Sequence, residues 1–212
     1  MKIIIIIIIR IIIIIIIINL TQTGTFYKFV ILRPEDSTLV GAPLSRGSAL
    51  ESCLEYKISK LRSAISRLRL FPAQKALTIL KSSFSTPRLM HVVRCSSCFG
   101  HHLLQEYDTV LREGLSAIVN IHMSDIHWLQ ACISVKSGGL GIRRAVSLAL
   151  PAFLASAVAT SDLQSAILSR GIQIIDKEVE LSRSLWCSLT TTSTPVGPSN
   201  LTKSLGCPDG DA

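Results

Sequence analysis

Between Ser48 and Leu70 the apolar residues Leu50, Leu54, Ile58, Leu61, Ile65 and Leu68 recur at spacings of 4, 4, 3, 4 and 3. That rhythm draws one apolar stripe along a helix of about 3.6 residues per turn, with polar residues on the other side. Ser48 with Glu51 three residues on has the form of a capping box, and Phe71-Pro72 ends the run. Shorter stretches repeat the pattern: Ala73 to Ser83 with Ala76, Leu77 and Leu80 inward, and a helix opened by Pro87 and running through Val93. Leu103 to Ile121 predicts a longer one, with Leu104, Tyr107, Leu111, Leu115, Ile118 and Val119 inward. Ser161 with Asp162 caps a helix through Arg170, and Ile174 to Cys187 reads as a last one. Alternation is confined to the N-terminal side, where Thr25 to Leu32 and Thr38 to Val40 read as short strands, with a turn at Gly41, Ala42 and Pro43. The expected fold is therefore mainly α with a short N-terminal β-hairpin.

One stretch departs from simple amphipathicity. From Trp128 the chain passes through a β-prone run containing Ile133 and Val135 into Gly138, Gly139 and Gly141. Glycine alone enters the positive-φ region without penalty, so this reads as a tight structural hinge. Arg143 and Arg144 then open a segment whose apolar residues Val146, Leu148, Ala149, Ala152, Phe153 and Val158 are too dense for an exposed helix. Such a helix is buried on most sides. A phosphate-cradling loop needs Lys and then Ser or Thr after its last glycine, and Ile142-Arg143 does not supply them.

The chain begins with a different kind of pattern. Residues 3 to 18 are fifteen isoleucines broken only by Arg10. Extended through Leu20 the run would span about 27 Å as a helix, close to the ~30 Å of a bilayer core, and it can be read as a transmembrane helix through Ile3 to Ile18. Its monotony fits a translated triplet repeat better, since single base changes convert isoleucine codons to those of Arg10 and Asn19. Beyond Leu189 the composition shifts to Thr, Ser, Pro and Gly, a disordered tail. The pattern divides the chain into a poly-Ile segment (1–23), a hairpin (24–47), basic helices (48–127), a glycine hinge with Ala/Leu-rich helices (128–188) and the tail (189–212).

Charge adds the clue to function. The chain carries a formal net charge of +8, which points to polyanionic partners. Between Glu55 and Glu106 there is no acidic residue, while Lys57, Lys60, Arg62, Arg67, Arg69, Lys75, Lys81, Arg88 and Arg94 supply nine positive charges. A merely solvated face alternates signs; a long run of one sign is suited to tracking phosphates. From Tyr56 to Arg94, the stretch that holds these cations, the aromatic residues are Tyr56, Phe71 and Phe84, too few to imply base-specific readout.

Other chemistry is thin. The six cysteines are read as reduced thiols. His91, Cys95, Cys98 and His101 or His102 have zinc-like spacing without a second half-site at finger distance, and read as a loop with half-buried thiols. His122, Asp125 and His127 lack the H-E-x-x-H pattern and read as a polar connection before Trp128. Two-metal phosphoryl transfer needs clustered carboxylates, and the chain has no Asp-Asp pair; Glu35-Asp36 are its only adjacent acids. No catalytic residue, metal, cofactor or small-molecule substrate is expected.

Four pieces in order carry a family resemblance: PEDSTLVGAPLSRGSALESCLEYKI at 34–58, AQKALTILKSSFSTPRLMHVVRC at 73–95, EYDTVLREGLSAIVN at 106–120, and WLQAC, GGLGIR and SLALPAFLAS between Trp128 and Ser156. Together they resemble the segment that follows the polymerase core in reverse transcriptases of jockey-type non-LTR retrotransposons. Ile133-Ser134 stand where that family usually has Leu-Pro. The resemblance implies a helical thumb-like module with the hairpin at the end of the palm, its LVGAP run at 39–43 similar to the primer-grip region. It implies an RNA-directed DNA polymerase as parent, with palm, fingers and endonuclease missing. The expected function is then a truncated reverse transcriptase remnant that holds an RNA/DNA duplex by its backbone and is inactive alone, in the nucleus or cytoplasm. Two other readings stand beside it: a single-pass membrane-anchored protein, and a pseudogene product that does not fold.

Overall fold

The computed structural model describes residues 33–167 and 176–189. It is mainly helical with a short antiparallel hairpin, as the pattern predicts. After a 3-10 turn at Pro34–Asp36 come β1 (Thr38–Leu39) and β2 (Ala42–Pro43), then α1 (Ser48–Leu68) and α2 (Ala73–Ile79). A π-helical turn (Leu80–Phe84) leads to α3 (Thr86–Cys95), α4 (His102–Val119) and α5 (Asp125–Cys132). A second 3-10 turn (Val135–Ser137) precedes α6 (Ala145–Val158), α7 (Ser161–Ile167) and α8 (Lys177–Leu189). The poly-Ile segment, the strand expected at Thr25 to Leu32 and the tail beyond Leu189 lie outside the described residues.

The hairpin is tighter than expected. Ala42 and Pro43 are strand residues, pairing Leu39 with Ala42 and Thr38 with Pro43, so the turn is Val40-Gly41 rather than Gly41 to Pro43. Both turn residues have positive φ, 51° and 75°, the geometry that matches strand twist in a two-residue loop. The hairpin docks on the end of α3: His91 Nε2 lies 3.1 Å from Val40 O, and Ser96 Oγ donates to Pro43 O at 2.5 Å.

The stripe of α1 is buried as read, from Leu50 through Leu68. Its start differs. Ser48 does not close a capping box; its hydroxyl donates to Asp36 Oδ1 at 2.5 Å, tying the helix to the preceding 3-10 turn. The buried stripe meets α4, and the approach is close because of Gly114, where an added Cβ would overlap Cδ1 of Ile65.

The second helical run breaks where proline requires it. Pro87 has no N–H to donate, so α2 loosens into the π turn and α3 restarts at Thr86 with Pro87 in its first turn. The break leaves the carbonyls of Phe84 and Ser85 facing α4. Tyr107 on α4 braces it: its hydroxyl donates to Phe84 O at 3.0 Å and to Ser85 O at 2.9 Å, the latter carbonyl also accepting from Arg88 N. Burial pushes the Tyr107 phenol well above its ordinary value, so it stays a donor.

The segment before the glycines carries the largest correction. Asp125 and His127 are not a polar connection; they lie inside α5, whose start Ser124 caps by accepting from His127 N at 3.3 Å. Ile133 and Val135 form no strand, Val135 opening a 3-10 turn instead. At the glycines the chain turns through positive φ, 83° at Gly138 and 71° at Gly141. Gly139 is needed for room, since a Cβ there would overlap the carbonyl of Ile133.

Beyond the hinge, α6 is the central helix. It packs most extensively on α3 and also on α4 and α8, and every residue from Leu148 to Ser156 is buried. One apolar cluster runs from Leu50 on α1 to Ala152 on α6. A smaller one joins Leu150 and Leu154 to Trp186 of α8, with Phe99 against it. The stretch Ala145–Ile167 is long and apolar enough to cross a bilayer, but half of its window is buried inside the fold, as befits a core helix.

Candidate nucleic-acid interface

The nine cations of the acid-free window do not share one face. On α1, Lys57, Lys60 and Arg67 lie at i, i+3 and i+10, along one edge; Arg62 and the capping residue Arg69 lie seven apart along the other. Lys75 projects from the first turn of α2. Lys81 sits on the π turn with its ammonium turned toward the hinge, so close that a Cβ on Gly141 would be 2.9 Å from Nζ. Arg88 covers the ring of Phe84 at 5.2 Å, and Arg94 is half-buried on α3.

Folding also returns a carboxylate to the window. Glu106 on α4 meets Arg62 at 3.1 Å, both side chains about half exposed. None of the other eight window cations makes an ion pair with the described residues. Lys60 instead lies over the ring of Tyr56 at 5.2 Å. Lys57, Lys60, Arg67, Arg69 and Lys75 thus keep their charge toward solvent around α1 and the start of α2.

The hinge gathers cations that the sequence window misses. Lys136 and Arg143, both exposed, flank the corner on which Lys81 rests. No glycine N–H of this corner points outward as an anion cradle: Gly138, Gly139 and Gly141 donate to Val135 O, Ser134 O and Ile133 O.

The hinge leads into a buried polar contact between two helices. Asp108, buried on α4, accepts from Ala145 N at 2.7 Å with Oδ1 and from Val146 N at 3.2 Å with Oδ2. A carboxylate from another helix thereby satisfies the first amides of α6, at the end where the macrodipole favours negative charge. Burial pushes the Asp108 carboxyl up, while the two amides and Arg144 hold it down. The open cleft beside it, about 410 Å³ in volume, is lined among others by Arg112, Asp125, Trp128 and Arg144. Arg112 bonds Asp125 at 2.7 Å and Met123 O at 2.6 Å, so this cleft balances its cations with Asp108 and Asp125 and is no anion trap.

The zinc-like residues do not converge. Cys95 Sγ lies 3.8 Å from His91 Nδ1, but Cys98 donates to Ser96 O at 3.2 Å, and burial pushes its thiol up to about 12. His101 accepts from Leu103 N at 3.3 Å, capping α4, and its pKa is lowered by burial and by neighbouring His102. Among the described residues no group of three such side chains could hold a metal ion.

The chain matches no protein-family model, no curated protein and no solved structure.

Proposed function

We propose that the helical module holds a nucleic-acid duplex by its sugar-phosphate backbone and performs no chemistry on it, as the thumb-side remnant of a non-LTR reverse transcriptase would. The observation that carries this reading is the set of window cations: nine lie in a stretch without acids, and only Arg62 is matched by a carboxylate across the described fold. Each phosphate such a cation neutralises releases condensed counterions, so the free cations supply affinity without sequence readout. The lack of any Asp-Asp pair in the chain accords with holding rather than polymerising. The order of the four resembling pieces supports the reverse-transcriptase parentage.

The test is binding of an RNA/DNA hybrid by the full-length chain in nonionic detergent, followed over a range of salt. With roughly four to six phosphates contacted, log K should fall against log salt with a slope of about −4 to −5. Absent binding at low salt, or a flat slope, overturns the reading. The isoleucine run favours a second reading, a membrane-anchored protein. Carbonate extraction decides it, since a chain released into the soluble fraction has no anchor.

A further inference from the structure

The exposed edge of α1 holds more than charge. Tyr56, Lys60, Ser63 and Arg67 follow one another at spacings of 4, 3 and 4, so they form a straight row along the helix. All four are exposed, Tyr56 at 58%. Past the end of the row the chain turns through Leu70 and Phe71, with Leu70 N bonded to Arg67 O, and leaves Phe71 51% exposed between Arg69 and Lys75. An aromatic ring thus stands at each end, with cations between and beside them. At ~1.5 Å per residue the row from Tyr56 to Arg67 runs about 16 Å along the helix, on the order of five nucleotides at a stacked spacing of ~3.4 Å.

Acids are kept off this row. Glu55 and Glu106 gather with Arg62 in the groove between α1 and α4, on the other edge of the helix. Phe84 and Phe99, the other aromatics between Glu55 and Glu106, are both half-buried and present less ring to solvent than Tyr56 or Phe71. Lys60 lies against the Tyr56 ring, an arrangement that orders the ring. A polyanion alone would need only the cations; exposed rings at their two ends suit a ligand that also presents flat π-faces. Duplex bases are stacked on each other, whereas single-strand bases are free to stack on a side chain.

We propose that this row is a single-strand path, on which Tyr56 and Phe71 stack unpaired bases while Lys60, Arg67, Arg69 and Lys75 hold the intervening phosphates. The proposal rests on the nucleic-acid reading above and narrows its ligand to an unpaired strand or the frayed end of a duplex.

The experiment compares wild-type full-length chain with Y56A, F71A and F71L, using a fluorescent single-stranded oligonucleotide roughly 12 nucleotides long and a blunt duplex of the same sequence. Both positions are exposed, and melting curves verify that the variants fold. Each alanine variant should weaken single-strand binding about tenfold and duplex binding less than twofold. F71L, which keeps an apolar side chain but loses the ring, should behave as F71A. Equal losses on both ligands, or unaltered single-strand binding in the variants, overturn the single-strand path while leaving duplex holding intact. Wild type that binds neither ligand overturns the underlying reading as well. Vesicles containing phosphatidylserine form the last arm: capture by wild type and F71L but not F71A would make the turn a lipid-facing tip and sink the proposal.

Discussion

The carboxylate of Asp108 and the backbone amide of Ala145 meet at 2.7 Å across 37 residues of chain. This contact joins the middle of α4 to the first turn of α6, and Val146 N shares the same carboxylate. Removing it in D108A strips the cap from a buried helix end and leaves two amides without their acceptor. The cost should be about 1–3 kcal/mol in stability, read as a lower urea midpoint for the full chain. An unchanged midpoint would mean that water replaces the cap without loss.

The same residue sets a pH dependence. Burial raises the folded Asp108 carboxyl above its ordinary value of 3.8, so the folded state binds the proton more readily than the unfolded one. Its stabilising contribution is therefore fully present below the ordinary value and lost as pH rises through the raised folded value. Wild type should accordingly gain stability relative to D108N as pH is lowered across that window. Parallel melting curves for the two proteins across it would contradict the assignment.

Gly114 and Ile65 are a packing pair. A methyl group at position 114 overlaps the end of Ile65, which sits on α1 and is itself buried. G114A should cost about 1–3 kcal/mol through overpacking. Shortening the partner in I65V should recover part of that loss, so the double variant is more stable than the sum of the singles predicts. Additive losses in a thermal double-mutant cycle would show that the two side chains do not compete.

Glu106 restrains Arg62. Replacing it in E106Q frees a guanidinium on the edge opposite Arg67 and should tighten duplex binding no more than about twofold, with the salt slope unchanged because no further phosphate is contacted. R62Q should change wild-type binding little because that charge is already matched, whereas R67Q removes an unmatched one and should weaken it clearly. Anisotropy titrations that rank R62Q as the more damaging variant would place the ligand on the wrong edge of α1.

The helices most easily read from sequence are those whose apolar stripe is long. α1 offers six stripe residues and α4 a comparable set, and both were legible to within a few residues. α5 was not, because it is short and leaves Ile126 and Leu129 in solvent, 76% and 54% exposed. Its apolar positions therefore draw no inward stripe, and its one clear signal was the Ser124 cap. Ile133 and Val135 are β-prone by propensity, but among the described residues no strand pairs with them and the glycine corner takes them into turns. Ser48 looked like a capping residue locally; Asp36, brought near by the hairpin, outcompetes its own helix. The cations of the candidate site were legible as a count, while their division between two edges of α1, the hinge and α3 was not. A linear window cannot show Glu106 folding back on Arg62, nor Lys81 turning to Gly141.

The corner at Gly138 to Gly141 lies outside the apolar cluster that runs from Leu50 to Ala152. Cleaving the chain there severs the covalent link but none of the side-chain packing, nor the amides that Asp108 receives from α6. Two polypeptides would result that remain one particle, each unable to bury its apolar surface without the other. For this fold the glycine corner joins two segments that share one apolar cluster, and fragment complementation across it is the natural route to dissecting how the module assembles.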